Sequence, residues 1–283
     1  MRIAILADIH GNLPALEAVV ADLQTQAPDL VYLAGDQINR CPWNNEVMDL
    51  IDAWQWPAIY GNHEWIVAHL GTEKTQFAGR DRFPSLWWTR ENLSPNHLAT
   101  VCALPAERRL DLDDGPAIRL LHGVRGDPFV GMLPEAADAV LAAYLEPMEE
   151  SVVISAHTHR PLARRVGRWQ LFNPGSVGMP YNGDPRGQYM LLQSSAQGWQ
   201  PIFRQVDYDR GRVAVAYRES GFQAACGPMA ELYLRTVETG EPWASDFAYW
   251  MRFQTDELKH DPGRAVAAYV QQHGPGNWAF QLG

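Results

Sequence analysis

Lysine is almost missing from this 283-residue chain: Lys74 and Lys259 are the only two, and arginine supplies the rest of the 23 basic residues. Thirty-three acidic residues outweigh them, for a formal net charge of −10. A chain this acidic repels a polyanion at long range, which argues against a nucleic-acid polymer as partner. A small anion held by a local positive centre stays open. Cysteine is also scarce. Cys41, Cys102 and Cys226 are odd in number and widely spread, which excludes a disulfide framework and suits a reducing cytoplasm. No apolar run approaches the 18 or so residues a membrane span needs, and the run from Ile3 to Ala7 is too short for a signal peptide. No repeat period is present, which excludes solenoid and fibrous architectures.

The chain does have 46 % hydrophobic and 11 % aromatic residues, enough for a large core without staples. The unbroken apolar run Ile3–Ala7 predicts a strand buried on both faces. Asn12–Gln24 has helical spacing, with Asn12 as cap and Pro14 in the first turn. Leu30–Ala34 and Ala58–Tyr60 read as strands and Glu46–Trp54 as the helix between them, a β-α-β-α-β order that favours a parallel sheet. Residues 65–104 break the rhythm and read as a helical, cap-like insertion. Alternation returns at Arg108–Gly123 and Val152–Asp207, with a helix at Pro134–Leu145 between them, so a second, more antiparallel sheet is expected. Gly211–Thr239 looks helical. The division expected is a main domain over 1–240 and a C-terminal extension over 241–283. That extension carries Trp243, Trp250 and Trp278, so it should pack on the body or form a subunit contact in a homo-oligomer.

Polar residues of one kind recur where strands end. Asp8-Ile9-His10-Gly11-Asn12 closes the first, Gly35-Asp36 the second, Gly61-Asn62-His63-Glu64 the third, His122-Gly123 the next, and His157-Thr158-His159 another. Residues i and i+2 of a strand share a direction, so Asp8 with His10, and His157 with His159, should leave the sheet edge together. In an open parallel sheet, ligands bind beyond the carboxyl ends of the strands. Of nine histidines, His10, His63, His122, His157 and His159 fall at such ends, whereas His69, His97, His260 and His273 do not and read as solvated or capping residues. Carboxylate, amide and imidazole donors without a thiolate motif suit Mn, Fe, Zn, Ni or Co over Ca or a structural Zn.

The ordered series D-x-H, G-D, G-N-H-E, H-G and A-H-T-H resembles the calcineurin-like metallophosphoesterase superfamily, and within it the small bacterial and archaeal phosphodiesterases. The stretch Asn173-Pro174-Gly175-Ser176-Val177-Gly178-Met179-Pro180 adds to that likeness, which spans residues 1 to about 195. The resemblance implies an α/β fold, a four-layer α-β-β-α sandwich, with a dinuclear metal site at the C-terminal edge of its sheets. Two divalent transition-metal ions are implied, manganese first, with iron, zinc, nickel or cobalt as alternatives. Asp8, His10 and His159 would hold one ion, Asn62, His122 and His157 the other, and Asp36 would bridge them. His63 would face the substrate and, as imidazolium, protonate or steady the leaving oxygen. The implied activity is hydrolysis of a small-molecule phosphoester by hydroxide shared between the ions, as phosphodiesterase or phosphatase. A nuclease, a protein phosphatase and a non-catalytic scaffold are the alternatives, and the presence of His63 with all seven ligand types argues against the scaffold. Glu64 stands where many relatives have aspartate and is expected to support His63 or a ligand. Arg40 and Arg125, each a few residues past a ligand, are candidates to grip the substrate, Cys41 would lie near the site, and Trp87-Trp88 would pack in the core, ahead of stacking on a base or closing the pocket.

Overall fold

A computed structural model describes residues 1–77 and 79–273 of the chain. The chain opens with β1 (Arg2–Leu6), α1 (Leu13–Gln26) and β2 (Leu30–Leu33). Asn12 caps α1 through a bond from the Ala15 amide (3.3 Å). The helices α2 (Asn44–Ala53), α3 (Asn62–His69), α4 (Pro84–Asn92) and α5 (Pro95–Ala103) follow without another strand. The third strand expected at Ala58–Tyr60 is thus only an isolated parallel bridge from Ala58 to Leu33. The ladder stops there because the Ile59 carbonyl accepts from the Gln37 side chain (3.0 Å) and the Gly61 amide donates to Glu64 (2.7 Å), turning the chain into α3.

The second half runs β3 (Glu107–Leu110), β4 (Ile118–Leu121), α6 (Asp138–Leu145), β5 (Val152–Ser155), β6 (Leu162–Val166), β7 (Trp169–Asn173), β8 (Gly187–Ser195) and β9 (Gly198–Val206). Six helices close the described chain: α7 (Arg210–Glu219), α8 (Phe222–Cys226), α9 (Met229–Thr239), α10 (Trp243–Met251), α11 (Asp256–Lys259) and α12 (Pro262–His273). One sheet has the order β2-β1-β8-β9, with β1 parallel to β2 and antiparallel to β8. The other has the order β3-β4-β5-β7-β6, with β4, β5 and β7 mutually parallel.

The period-2 geometry of strands explains the layering. Ile3 and Ile5 of β1 and Met190 and Leu192 of β8 face Ile118, Leu120, Val152, Ile154 and Phe172 of the other sheet, forming the core between the two. The alternate residues Ala4, Leu6, Tyr189 and Leu191 face outward onto Leu16, Val19 and Leu23 of α1 and Val47 and Ile51 of α2. On the far side Val153 and Leu171 meet Leu141 and Leu145 of α6. The result is the α-β-β-α sandwich.

A separate cluster joins the C-terminal helices to the body. Tyr217, Phe222, Tyr233, Val237, Trp243, Phe247 and Tyr269 pack together with Cys41 and Met179, residues from the loops beside the sheet edge. Trp88 joins this cluster edge-on to Phe222 (4.9 Å between rings), while Trp87 lies against the helical layer over β1. Both tryptophans therefore pack. Fully burying such a side chain contributes roughly 1.5–3 kcal/mol each, so a few of them suffice to hold these helices in place. Trp278 lies outside the described residues. No helix of the described residues is long and apolar enough to cross a membrane.

Candidate metal centre

The segments that follow β1, β2, β4 and β5 meet at one edge of the two sheets. Backbone bonds lace them together: the Asp8 amide to Gly35 O (3.0 Å), His10 to Asp36 O (2.9 Å), Gly178 to Asp8 O (3.0 Å). The sequence expectation was that strand alternation aims Asp8 with His10. The strands, however, stop at Leu6 and Ser155, and direction is set by the backbone beyond them. Asp8, His10, Asp36, His157 and His159 all have φ between +53° and +66°, the left-handed region that side-chain-bearing residues avoid. Five strained residues at one place mark a functional constraint rather than a folding preference.

Two glycines allow this crowding. A Cβ on Gly61 would lie 2.1 Å from Asp36 Oδ1, and one on Gly35 (φ +96°) would lie 2.5 Å from His122 Nδ1. Each lets neighbouring loops touch.

The donors fall into two groups that share Asp36. Asp8, His10, Asp36 and His159 place one donor atom each within 4.8 Å of one another, and Asp36, His122 and His157 do the same. In the first group His10 Nε2 is 3.2 Å from His159 Nε2, and His159 Nε2 is 3.5 Å from Asp8 Oδ1. In the second His122 Nε2 is 3.3 Å from Asp36 Oδ2, and Asn62 Oδ1 is 3.0 Å from His122 Nε2 and 2.9 Å from His157 Nδ1. The Asp8-x-His10 pair stays in one group, while His157 and His159 divide between the two. All seven expected ligands are thus together, and all but the partly exposed His157 are buried.

Surrounding bonds fix the rings. His122 Nδ1 donates to Ala34 O (2.8 Å) and His159 Nδ1 to Met179 O (2.5 Å), so each ring turns its Nε2 inward. The stretch 173–180 acts here: Ser176 Oγ donates to Asp8 O (2.8 Å), and Asn173 Nδ2 holds the Ala156 carbonyl (2.8 Å). Glu64 does not touch His63. Its carboxylate accepts from the amides of Asp36 (2.8 Å), Gly61 (2.7 Å) and Ile38 (3.1 Å), clamping the Asp36 loop to the start of α3. The partner of His63 is Asn39, whose Nδ2 lies 2.6 Å from His63 Nδ1 and whose Oδ1 accepts from Thr89 of α4. Sequence reading missed Asn39; its place three residues after Asp36 was the available signal.

Electrostatics test whether these residues fit a cation. Asp8 is fully buried, and neither of its carboxylate oxygens has a hydrogen-bond partner. Burial accordingly pushes its pKa well above the ordinary carboxylate value. An anion in that position is costly unless a positive charge compensates it. Burial also lowers His10 and His159 well below the usual imidazole range, and lowers His157 to about 4. Neutral imidazoles are what a metal requires. His122 is the exception: burial would lower it, but the Asp36 carboxylate outweighs that and raises it to about 9. A bound cation would take over that ion pair. The donor set and the orphaned carboxylate fit divalent metal ions.

The two remaining arginines part company. Arg40 lies at the edge of the cluster, and its guanidinium donates to Tyr181 Oη. Arg125 is not brought there: its exposed side chain bonds the Pro147 carbonyl (2.8 Å) and Glu107 (3.3 Å), because the tight turn around Gly126 carries it away from His122. Cys41 is buried against Tyr217 Oη (3.4 Å), and burial pushes its thiol up to about 12, which leaves it inert.

A two-sheet sandwich with paired Asp/His groups at the sheet edge defines the class of metal-dependent phosphoesterases. Residues 1–197 match the calcineurin-like phosphoesterase superfamily domain, and the chain belongs to that superfamily. Its family uses divalent metals. The chain is similar to the crystal structure of a metallophosphoesterase from Sphaerobacter thermophilus, at 26 % identity and TM-score 0.69, over 85 % of this chain and 99 % of that one. The hypothetical protein PH1004 from Pyrococcus horikoshii OT3 shares the fold at 21 % identity and TM-score 0.72, over 84 % and 98 % of the two chains. An uncharacterized protein of Methanocaldococcus jannaschii, MJ0912, is 24 % identical over 207 residues, 67 % of this chain and 82 % of that one.

Proposed function

We propose that the protein is a hydrolase of small-molecule phosphoesters that works with two divalent transition-metal ions, manganese first among them. Asp8, His10 and His159 would hold one ion, Asn62, His122 and His157 the other, and Asp36 would serve both. The observation that carries this reading is the pair of adjoining donor groups sharing Asp36, with the unpartnered Asp8 carboxylate buried in one of them. When bound, the ions would supply Lewis acidity and hydroxide at neutral pH.

The chain's own residues then have defined tasks. Asn39 fixes the His63 ring by its Nδ1, which turns Nε2 toward the cluster, 4.0 Å from Asp36 Oδ2. Burial, with Arg40 and His122 nearby and only Asp36 opposing, lowers His63 to about 3. In the ligand-free protein the ring is therefore neutral rather than imidazolium, and its Nε2–H offers a hydrogen bond to the departing oxygen; the negative charge of a bound phosphoester works in the direction of protonation. Arg40 would grip a phosphoryl oxygen with charge-assisted bonds. A reducing cytoplasm suits the three free cysteines.

His63→Ala is the direct test. The variant is expected to retain metal but lose about 10²-fold or more in turnover of alkyl phosphoesters, with a smaller loss for nitrophenyl esters, whose leaving group needs little help. Equal losses for both ester classes would contradict the leaving-group role. No hydrolysis of any phosphoester by wild type loaded with Mn, Ni, Zn or Mg would overturn the function itself.

A further inference from the structure

Arg40 is a half-buried guanidinium with no carboxylate within ion-pair distance among the described residues. Among the described residues its side chain has one hydrogen-bond acceptor, the Tyr181 hydroxyl, and the Tyr233 ring stands 5.8 Å from its centre. Most of its five donors have no partner among the described residues. It sits beside the metal centre: its partner Tyr181 stacks on His159, and its neighbour Asn39 holds His63.

Much is spent on holding it there. Asn39 and Arg40 have φ of +74° and +75°, consecutive left-handed residues that persist only under constraint. Tyr217 of α7 donates to the Arg40 carbonyl. Ser245 of α10 donates to Tyr181 Oη (3.1 Å), and the Tyr181 ring stacks on His159 (4.0 Å between centroids, 13° between planes). Tyr233 of α9 is pinned through its hydroxyl to Ser85 of α4 (3.2 Å). Three C-terminal helices and the insertion thus converge on one unpaired cation.

We infer that the Tyr181–Ser245 brace holds Arg40 as a third oxygen-binding point and that the site consequently takes phosphate monoesters in preference to diesters. A monoester dianion carries three non-bridging oxygens and a diester two. Two divalent ions can engage two oxygens, so a third fixed cation has a partner only in the monoester, and the extra charge also suits a dianion over a monoanion. Tyr181 and Ser245 are positioning residues in this account, and the C-terminal helices belong to the active site. The inference rests on the phosphoester reading above.

The test compares wild type with Arg40→Lys, Tyr181→Phe and Ser245→Ala, all loaded with Mn. Ser245→Ala is the mildest of the three and guards against misfolding, and Tyr181→Phe keeps the ring stack on His159. Wild type should favour 4-nitrophenyl phosphate over bis(4-nitrophenyl) phosphate in kcat/KM. That ratio should fall about tenfold or more in Arg40→Lys, and about three- to tenfold in the other two, mainly through monoester KM. Calorimetric affinity for inorganic phosphate should fall by similar factors relative to that for dimethyl phosphate, with bound metal unchanged. A diester preference in wild type, a ratio unmoved by all three substitutions, or unchanged phosphate affinity would overturn the inference. If loaded wild type hydrolyses neither ester, the function proposed above fails, while phosphate calorimetry still decides the role of Arg40.

Discussion

Gly61→Ala isolates the contact on which the shared ligand depends. The backbone at Gly61 (φ −101°, ψ −172°) is one that alanine adopts freely, so any effect is steric. The new Cβ would sit 2.1 Å from Asp36 Oδ1, 2.6 Å from its amide nitrogen and 2.8 Å from Cγ. Ordinary contact begins near 3.4 Å, so the carboxylate must retreat by about 1.3 Å or the loop must open. Asp36 Oδ1 also accepts from the His63 amide (2.9 Å), and that bond goes with it. Overpacking of this kind costs roughly 1–3 kcal/mol and the bond about 1 more. For a chain of this size that corresponds to a fall in Tm of about 3–7 °C, read by calorimetry on metal-stripped protein. Because both donor groups use Asp36, affinity for both ions should drop together, and activity with it. Gly263→Ala, whose Cβ would meet nothing closer than 3.6 Å, is the control. Metal uptake by Gly61→Ala within a factor of about three of wild type would refute the placement of the shared carboxylate.

Two further substitutions probe buried carboxyls by sign. Asp8 has a pKa raised by burial, so its charge destabilises the metal-free fold at every pH above its unfolded value. Metal-free Asp8→Asn should therefore melt at or above wild type at pH 8, while the rise in Tm produced by manganese shrinks by about half or more; an undiminished rise would contradict the ligand role. Asp246 of α10 is raised to about 7, by burial first and Glu241 second. Its penalty builds between the unfolded value of 3.8 and about 7 and stays constant above. Asp246→Asn should gain stability over wild type as pH rises through that window, by at most about 4 kcal/mol, with no gain at pH 4; a gain that does not change between pH 4 and 8 would show the carboxyl to be unburdened.

The site was legible in the sequence because its residues are local in a special sense. Every ligand but Asn62 falls within four residues of a strand's end, so D-x-H, G-D, G-N-H-E and H-x-H are visible without knowing how the loops meet. The first sheet was legible because the unbroken apolar run of β1 reports burial on both faces. What sequence hid is what tertiary contact decides. Ala58–Tyr60 has a strand's composition but loses its ladder to the side chains of Gln37 and Glu64. Glu64 was open between His63 and a ligand; it supports the ligand Asp36, whose amide it gathers with those of Gly61 and Ile38. Arg125 follows His122 closely, yet a turn points it at Glu107. Tyr181, Tyr233 and Ser245 reach Arg40 from sites 141 to 205 residues away in the chain, a distance no motif spans.

Metal stoichiometry tests the central claim most directly. Protein stripped by chelation, dialysed against manganese and analysed for bound metal should hold about two ions per chain, and Asp36→Asn should hold fewer and bind them weakly. Wild type that retains no manganese, nickel or zinc after dialysis, or Asp36→Asn that binds two ions as tightly as wild type, would contradict the account.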